Sequence, residues 1–167
     1  MFTYILVMVA VLLRLFPHMP NFVPIIAIAM YAGAYLPKKQ ALFLPLLIMV
    51  ISDLIIGLHD VVFFTWSAML LCGVIGTRLH DNVKPGTVLS TTLFAAVAFF
   101  LVSNFGVWIA WYPHTFAGLT DCFVKAIPFF RSTFLVNTAV VIVMFSLHEV
   151  LKKVSEKYSF KKALVKL

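Results

Sequence analysis

Charge is scarce in this sequence. Of its 167 residues, 11% are Asp, Glu, Lys or Arg, and only six are acidic. A soluble chain carries charge on about a quarter of its residues, so a separate soluble domain is excluded. Cysteine is scarce too. Cys72 and Cys122 stand far apart and match neither a CxxC nor a zinc spacing, which argues against a disulfide framework. Strand-like alternation is missing from the long apolar runs, and with it the signature of a membrane β-barrel. No His-Glu-x-x-His, Ser/His or paired-carboxylate motif occurs, so the sequence offers no ready-made hydrolytic site. The start, Met1 to Phe16, resembles a signal peptide but lacks a basic n-region and an Ala-x-Ala exit, and reads as a retained first helix.

What the chain does have is apolar length. Hydrophobic residues make up 63%, and the mean hydropathy is +1.06. In lipid each backbone group must be satisfied within the protein, which leaves helices as the solution here. Breaks at Pro, Gly and charge clusters divide the chain into six spans: Phe2 to Phe16, Phe22 to Leu36, Ala41 to Gly57, Val61 to Leu79, Thr87 to Trp111 and Pro128 to Leu151. The first two are short against the roughly 20 residues of a full crossing. Only one connector, Tyr112 to Ile127, is long. The fold class expected is an all-α polytopic membrane protein of six transmembrane helices. Residues 1–151 form one domain, and residues 152–167 a basic cytoplasmic tail.

Orientation follows from the cations. Lys38, Lys39, Arg78, Lys84, Lys152, Lys153, Lys157, Lys161, Lys162 and Lys166 all fall on one side if the span number is even, and the positive-inside rule makes that side cytoplasmic. Both termini are then cytoplasmic, and the setting expected is the inner membrane of a bacterium. The inner face carries the whole net charge of +7. That balance reads as topology and contact with anionic lipid, not nucleic-acid binding.

In this orientation the polar side chains gather at the outer ends. Arg14 lies one turn below the outer end of the first span, and Asp53 about 6 Å below that of the third at 1.5 Å per residue; the two could pair. An ionisable group at such depth is a functional-site hypothesis by default. Asn104, Trp108 and Tyr112 mark the outer end of the fifth span, and Arg131 and Asn137 lie on the sixth. Trp108, Trp111 and Tyr112 also suit an interfacial aromatic belt. The outer loops add His18, Asn21, His59, Asp60, His114, Asp121, Cys122 and Lys125; a metal site would need separate loops to converge. His148 reads as a helix-end residue near the negative dipole. The inner halves hold mainly small residues and hydroxyls, with Ala29-x-x-x-Gly33, Cys72, Gly73, Gly76, Thr91 and Thr92, a pattern of close helix packing. A through-pore would need polar lining in both halves, so a pocket open to the outside fits better.

Several blocks carry a resemblance: Pro20-Asn21-Phe22-x-Pro24-x-x-Ala27, Gly33-Ala34-Tyr35, Ser52-Asp53-x-x-x-Gly57, Ser103-Asn104-Phe105-Gly106-Val107-Trp108, Tyr112-Pro113, Gly118-Leu119 and Ala126-Ile127-Pro128-Phe129-Phe130. Together they resemble a family of energy-coupling-factor (ECF) S components related to the cobalamin-binding S components of the BtuM type. The resemblance implies an S-component-like bundle that captures a vitamin or related micronutrient from the outer side and docks to the ECF transmembrane and ATPase subunits. It implies cobalamin as a transported ligand rather than a prosthetic group. It also places His18, Asn21, Asp53, Asn104, Trp108, Tyr112 and Arg131 around the substrate. The cobalt-ligating cysteine of such binders would fall near Trp66 to Leu70, where this sequence has none.

Two other classes stay open. One is a structural or assembly protein like the small six-helix cell-shape factors, with the outer polar groups stapling the bundle. The other is an intramembrane enzyme using Asp53, His18 or Cys122 as base or nucleophile.

Overall fold

The stretch Ile25–Tyr35 has no polar face, only apolar and small residues with two tyrosines at its end. A helix that is apolar all round belongs in an interior, and this one, α1, is buried at every position from Ile25 to Ala34. The computed structural model describes residues 24–164 together with Ile5 and Met8, with side chains as far as Lys157. The rest of the first expected span lies outside the described residues, as do Arg14, His18 and Asn21.

Around α1 stand α2 (Lys38–Ile56), α3 (Val62–Gly76, tightening into a 3-10 turn over Thr77–Leu79), α4 (Pro85–Trp111) and α5 (Phe116–Leu164). Each of them touches α1. Among the described residues every regular element is helical. Four of the helices, counting Val62–Leu79 as one and α5 as far as Lys157, are long and apolar enough to cross a membrane. α1, about 16 Å long at 1.5 Å per residue, is a shorter apolar helix enclosed by the other four.

Small residues let α1 sink into the centre. A Cβ on Gly33 would lie 2.2 Å from the backbone carbonyl of Gly76, and one on Gly76 would lie 2.6 Å from the Ala29 carbonyl oxygen. The backbones of α1 and α3 are therefore in direct contact, as the Ala29-x-x-x-Gly33 spacing suggests. Gly73 serves the other side of α3, lying against Leu42 of α2. Cys72 fills the remaining gap, with its Sγ–H directed at the Ala95 carbonyl of α4 at 3.5 Å.

One expected boundary is wrong. The stretch Tyr112 to Ile127 is not a long connector: only Tyr112 to Thr115 is non-helical, and α5 begins at Phe116. Thr115 is the reason. Its Oγ1 accepts from the Gly118 N–H at 3.1 Å, and its carbonyl from the Leu119 N–H, the bonds of an N-cap. Pro128, expected at the start of the last span, instead sits inside α5. It removes one backbone donor, a loss that membrane helices tolerate. Past residue 151 the chain continues as helix to Leu164, so the basic tail extends α5.

The four long helices alternate in direction, which gathers like ends together. At one end Tyr35, Lys84 and Glu149 border a common cleft. At the other, Trp111 Nε1–H donates to Asp60 Oδ2 at 3.1 Å, joining the end of α4 to the α2–α3 turn. Lys38, Lys39, Arg78, Lys84, Lys152, Lys153 and Lys157 thus belong to one basic end, and His59, Asp60, His114 and Asp121 to the opposite one.

Candidate functional site

Asp53 falls in the last turn of α2, where the apolar run Leu46 to Ile51 gives way to Ser52 and then to Gly57 at a φ of 121°. A residue with a Cβ rarely adopts that conformation, and Gly57 ends the helix. The carboxylate is buried, 6% exposed. It is also held: Trp66 Nε1–H of α3 donates to Asp53 Oδ2 at 2.9 Å. Ser52, beside it, donates its hydroxyl to the Met49 carbonyl at 2.8 Å.

α3 separates Asp53 from the other candidates. Trp66 turns to α2, whereas Phe64 lies against Gly106 of α4, at a place where any Cβ would strike its ring. Beyond it α3, α4 and α5 leave a cleft of about 240 Å³, lined by Thr65, Ser103, Asn104, Thr133 and a wall of Phe99, Phe100, Phe129 and Phe130. The walls support each other, the Phe100 and Phe130 centroids being 4.9 Å apart. Asn104 donates its Nδ2–H to the Phe100 carbonyl of its own helix at 2.8 Å. Its Oδ1 has no hydrogen-bond donor among the described residues. Thr65 and Ser103 donate to carbonyls on their own helices.

Asn137, completely buried on α5, does different work. Its Oδ1 accepts from the Ala27 N–H at 2.9 Å, while its Nδ2–H reaches the Thr133 carbonyl at 2.8 Å. Pro24 precedes α1 and offers no capping side chain. The first-turn N–H groups of a helix have no intrahelical partner, so Asn137 caps α1 from across the bundle.

The aromatic residues at this end are tied down. Trp108 Nε1–H donates to the Pro113 carbonyl at 3.0 Å, and His114 Nε2–H to the Ile109 carbonyl at 2.9 Å. Lys125 forms an ion pair with Asp121 at 2.7 Å and lies 5.8 Å from the centroid of the Tyr112 ring. Cys122 directs its Sγ–H at the Asn104 carbonyl. Arg131 is exposed on α5 and makes no ion pair among the described residues. Of the seven expected site residues, then, Asn104 borders the cleft, Trp108 and Tyr112 cap the loop beyond it, Asp53 is set apart by α3, and Arg131 faces outward. His18 and Asn21 lie outside the described residues. Among the described residues no three His, Cys, Asp or Glu side chains converge as a metal would require.

A second polar cluster was not anticipated. His148 does not end a helix, since α5 runs a further four turns. Its Nδ1 hydrogen-bonds Tyr31 Oη at 2.6 Å, and its ring stacks on Tyr35 with centroids 3.7 Å apart. Phe145 closes the group edge-on to Tyr31. The signal available beforehand was the i, i+4 pair of tyrosines on an otherwise apolar segment. Beside this group lies the larger cleft, of about 460 Å³, between the start of α4 and the stretch Val141 to Glu149 of α5.

No curated protein and no solved structure matches the chain. A family model does match, over residues 1–160, and the chain belongs to that family, a family of unknown function designated DUF6580.

Proposed function

We propose that the chain is a six-span subunit of a bacterial inner membrane, with both termini cytoplasmic, that binds a small ring-bearing nutrient from the outer side for uptake. The observation that carries this reading is the Asn104 cleft. It lies in the half of the bundle away from the basic end, is walled by phenylalanines, and holds an amide oxygen with no donor among the described residues. Such a site suits a flat ring with an N–H to donate. At about 240 Å³ it is just below the roughly 300–1,000 Å³ of most ligand sites. A single-ring vitamin is therefore the favoured substrate, and a corrinoid the larger guest to be tested against it. Energy for release inward would come from ECF transmembrane and ATPase subunits, in keeping with the resemblance of the sequence blocks to S components.

The test is retention of ligand. Protein purified in mild detergent is expected to carry a ring-bearing species identified by mass spectrometry, and to rebind it with quenching of tryptophan fluorescence. Asn104→Ala should weaken rebinding about tenfold or more, the value of one buried hydrogen bond with its desolvation. Asp53→Asn and Arg131→Ala are expected to weaken it if the site extends toward them. Unchanged affinity in all three variants would remove the uptake reading.

A second reading has a specific observation in its favour: Asp53 is bonded to Trp66, and Asn137 to Ala27 and Thr133. In a structural or assembly protein the same groups staple the bundle and no ligand is retained. Ligand-free protein whose variants lose stability but no binding would favour it.

A further inference from the structure

The cleft at the basic end has a composition unlike the Asn104 cleft. Its walls are Val83, Pro85, Val88, Leu89, Val141, Ile142 and Phe145, and its rim carries Lys84 and Glu149. Neither charge has an ion-pair partner among the described residues. The Tyr35 hydroxyl, at the inner edge of the same cleft, is buried and has no hydrogen-bond partner among the described residues. A fourth source of hydrogen bonds is the start of α4. Pro85 occupies its first turn and no side chain caps it, so the Gly86 and Thr87 N–H groups, which precede the first helical bond from Val88 N–H to the Lys84 carbonyl, have no intrahelical acceptor, an arrangement that attracts phosphate. Leu89 and Ile142 on the walls are exposed, so the cleft opens on the flank of the bundle, in reach of acyl chains.

We propose that this cleft binds one phospholipid with a primary-amine headgroup, of the phosphatidylethanolamine type. The phosphate meets Lys84, the α4 N-terminus and the Tyr35 hydroxyl; the ammonium meets Glu149; an acyl chain lies along Val88, Leu89, Val141 and Ile142. Charge complementarity selects this occupant. A purely anionic headgroup satisfies Lys84 but leaves its negative charge beside Glu149. A choline headgroup has no N–H to donate to that carboxylate. The inference rests on the membrane placement proposed above and is independent of nutrient uptake.

Native mass spectrometry of the full chain, exchanged in detergent against dioleoyl phosphatidylethanolamine, phosphatidylglycerol or phosphatidylcholine, tests it. The wild type is expected to retain the ethanolamine lipid about tenfold better than either other lipid, the discrimination of one charge-assisted hydrogen bond. Glu149→Gln should abolish that preference, and Ser146→Trp, at an exposed residue that also lines the cleft, should reduce retention of all three lipids. Equal retention of the three lipids by the wild type, or unaltered retention by Ser146→Trp, overturns the proposal. Free phosphoethanolamine competing at equal concentration would also overturn it, since the acyl chain would then play no part. Release of the chain from membranes by alkaline carbonate would remove the membrane placement itself. A chain that stays in the membrane yet shows no lipid preference would sink only the lipid site.

Discussion

The two ends of this bundle use polar groups in opposite ways. At the end bearing Asp60 and Asp121, and just below it, nearly every polar side chain is committed to a neighbour: Asp53 to Trp66, Trp111 to Asp60, Trp108 to Pro113, Lys125 to Asp121. At the basic end Lys84, Glu149 and the Tyr35 hydroxyl stand around an open cleft without such partners among the described residues. A polar residue placed inside an apolar chain therefore marks a site only after its hydrogen bonds have been counted. By that count Asn104 and the Lys84–Glu149 rim have capacity to spare, and Asp53 and Asn137 hold the fold together.

The two ends are joined through α1, and the comparison breaks most completely if that junction is disturbed. Gly33→Ala forces a Cβ to within 2.2 Å of the Gly76 backbone, where no flexible side chain can yield. The expected cost is about 3 kcal/mol or more, the upper range for overpacking. It should appear as loss of the monodisperse detergent-solubilised species and, in any surviving protein, as disturbance of both clefts together. Loss at one end alone would mean that α1 does not couple them.

Asn137→Ala comes next. It leaves the Ala27 N–H without its acceptor in the interior, at a cost of about 1–3 kcal/mol in thermal or denaturant unfolding. Ligand affinity at the Asn104 cleft should be unchanged in the folded fraction, because Asn137 is spent on α1. Trp66→Phe removes one donor to Asp53 and is expected to cost about 1.5–3 kcal/mol, the range for a hydrogen bond to a charged group. A larger fall in ligand binding than in stability would instead put Asp53 in the binding site. Tyr31→Phe, which loses the bond to His148, should cost about 1 kcal/mol. The stack of His148 on Tyr35 should survive it.

Much of the architecture was legible because lipid-crossing length is a strong signal. The expected spans over α2, α3 and α4 agree with the observed helices to within a few residues, since each is an apolar run closed by Pro, Gly or charge. The start of α5 was obscured by Asp121, Lys125 and Pro128, which look like loop residues. Yet Asp121 and Lys125 are an i, i+4 pair and bond as such pairs do on a helix. The interior placement of α1 left only faint traces in its alanines and glycine, because an apolar helix facing lipid and one facing protein read alike. In the site, residue types pointed to Asn104 and Asp53 equally. Nothing in the sequence shows that Trp66, thirteen positions on, satisfies one of them and that the Asn104 amide oxygen is left open. The cluster of Tyr31, Tyr35 and His148 joins α1 to a residue 117 positions away from Tyr31, a distance that no local pattern reports.

The finest test of the distinction between committed and spare polar groups lies in two adjacent residues of α5. Asn137 and Thr138 are both polar side chains deep in an apolar helix, and composition alone would make them equally suspect. Asn137 is bonded at both ends of its amide, whereas the Thr138 hydroxyl oxygen is buried with no hydrogen-bond partner among the described residues. Thr138→Val exchanges that hydroxyl for a methyl of nearly the same shape, at a helix propensity that differs little. Removing an unsatisfied group relieves its desolvation cost, so stability should change by less than about 0.5 kcal/mol or rise. If Thr138→Val proved as damaging as Asn137→Ala, the hydroxyl would have to be hydrogen-bonded in the membrane. Hydrogen-bond satisfaction would then no longer tell the residues that hold this bundle from those that wait for a guest.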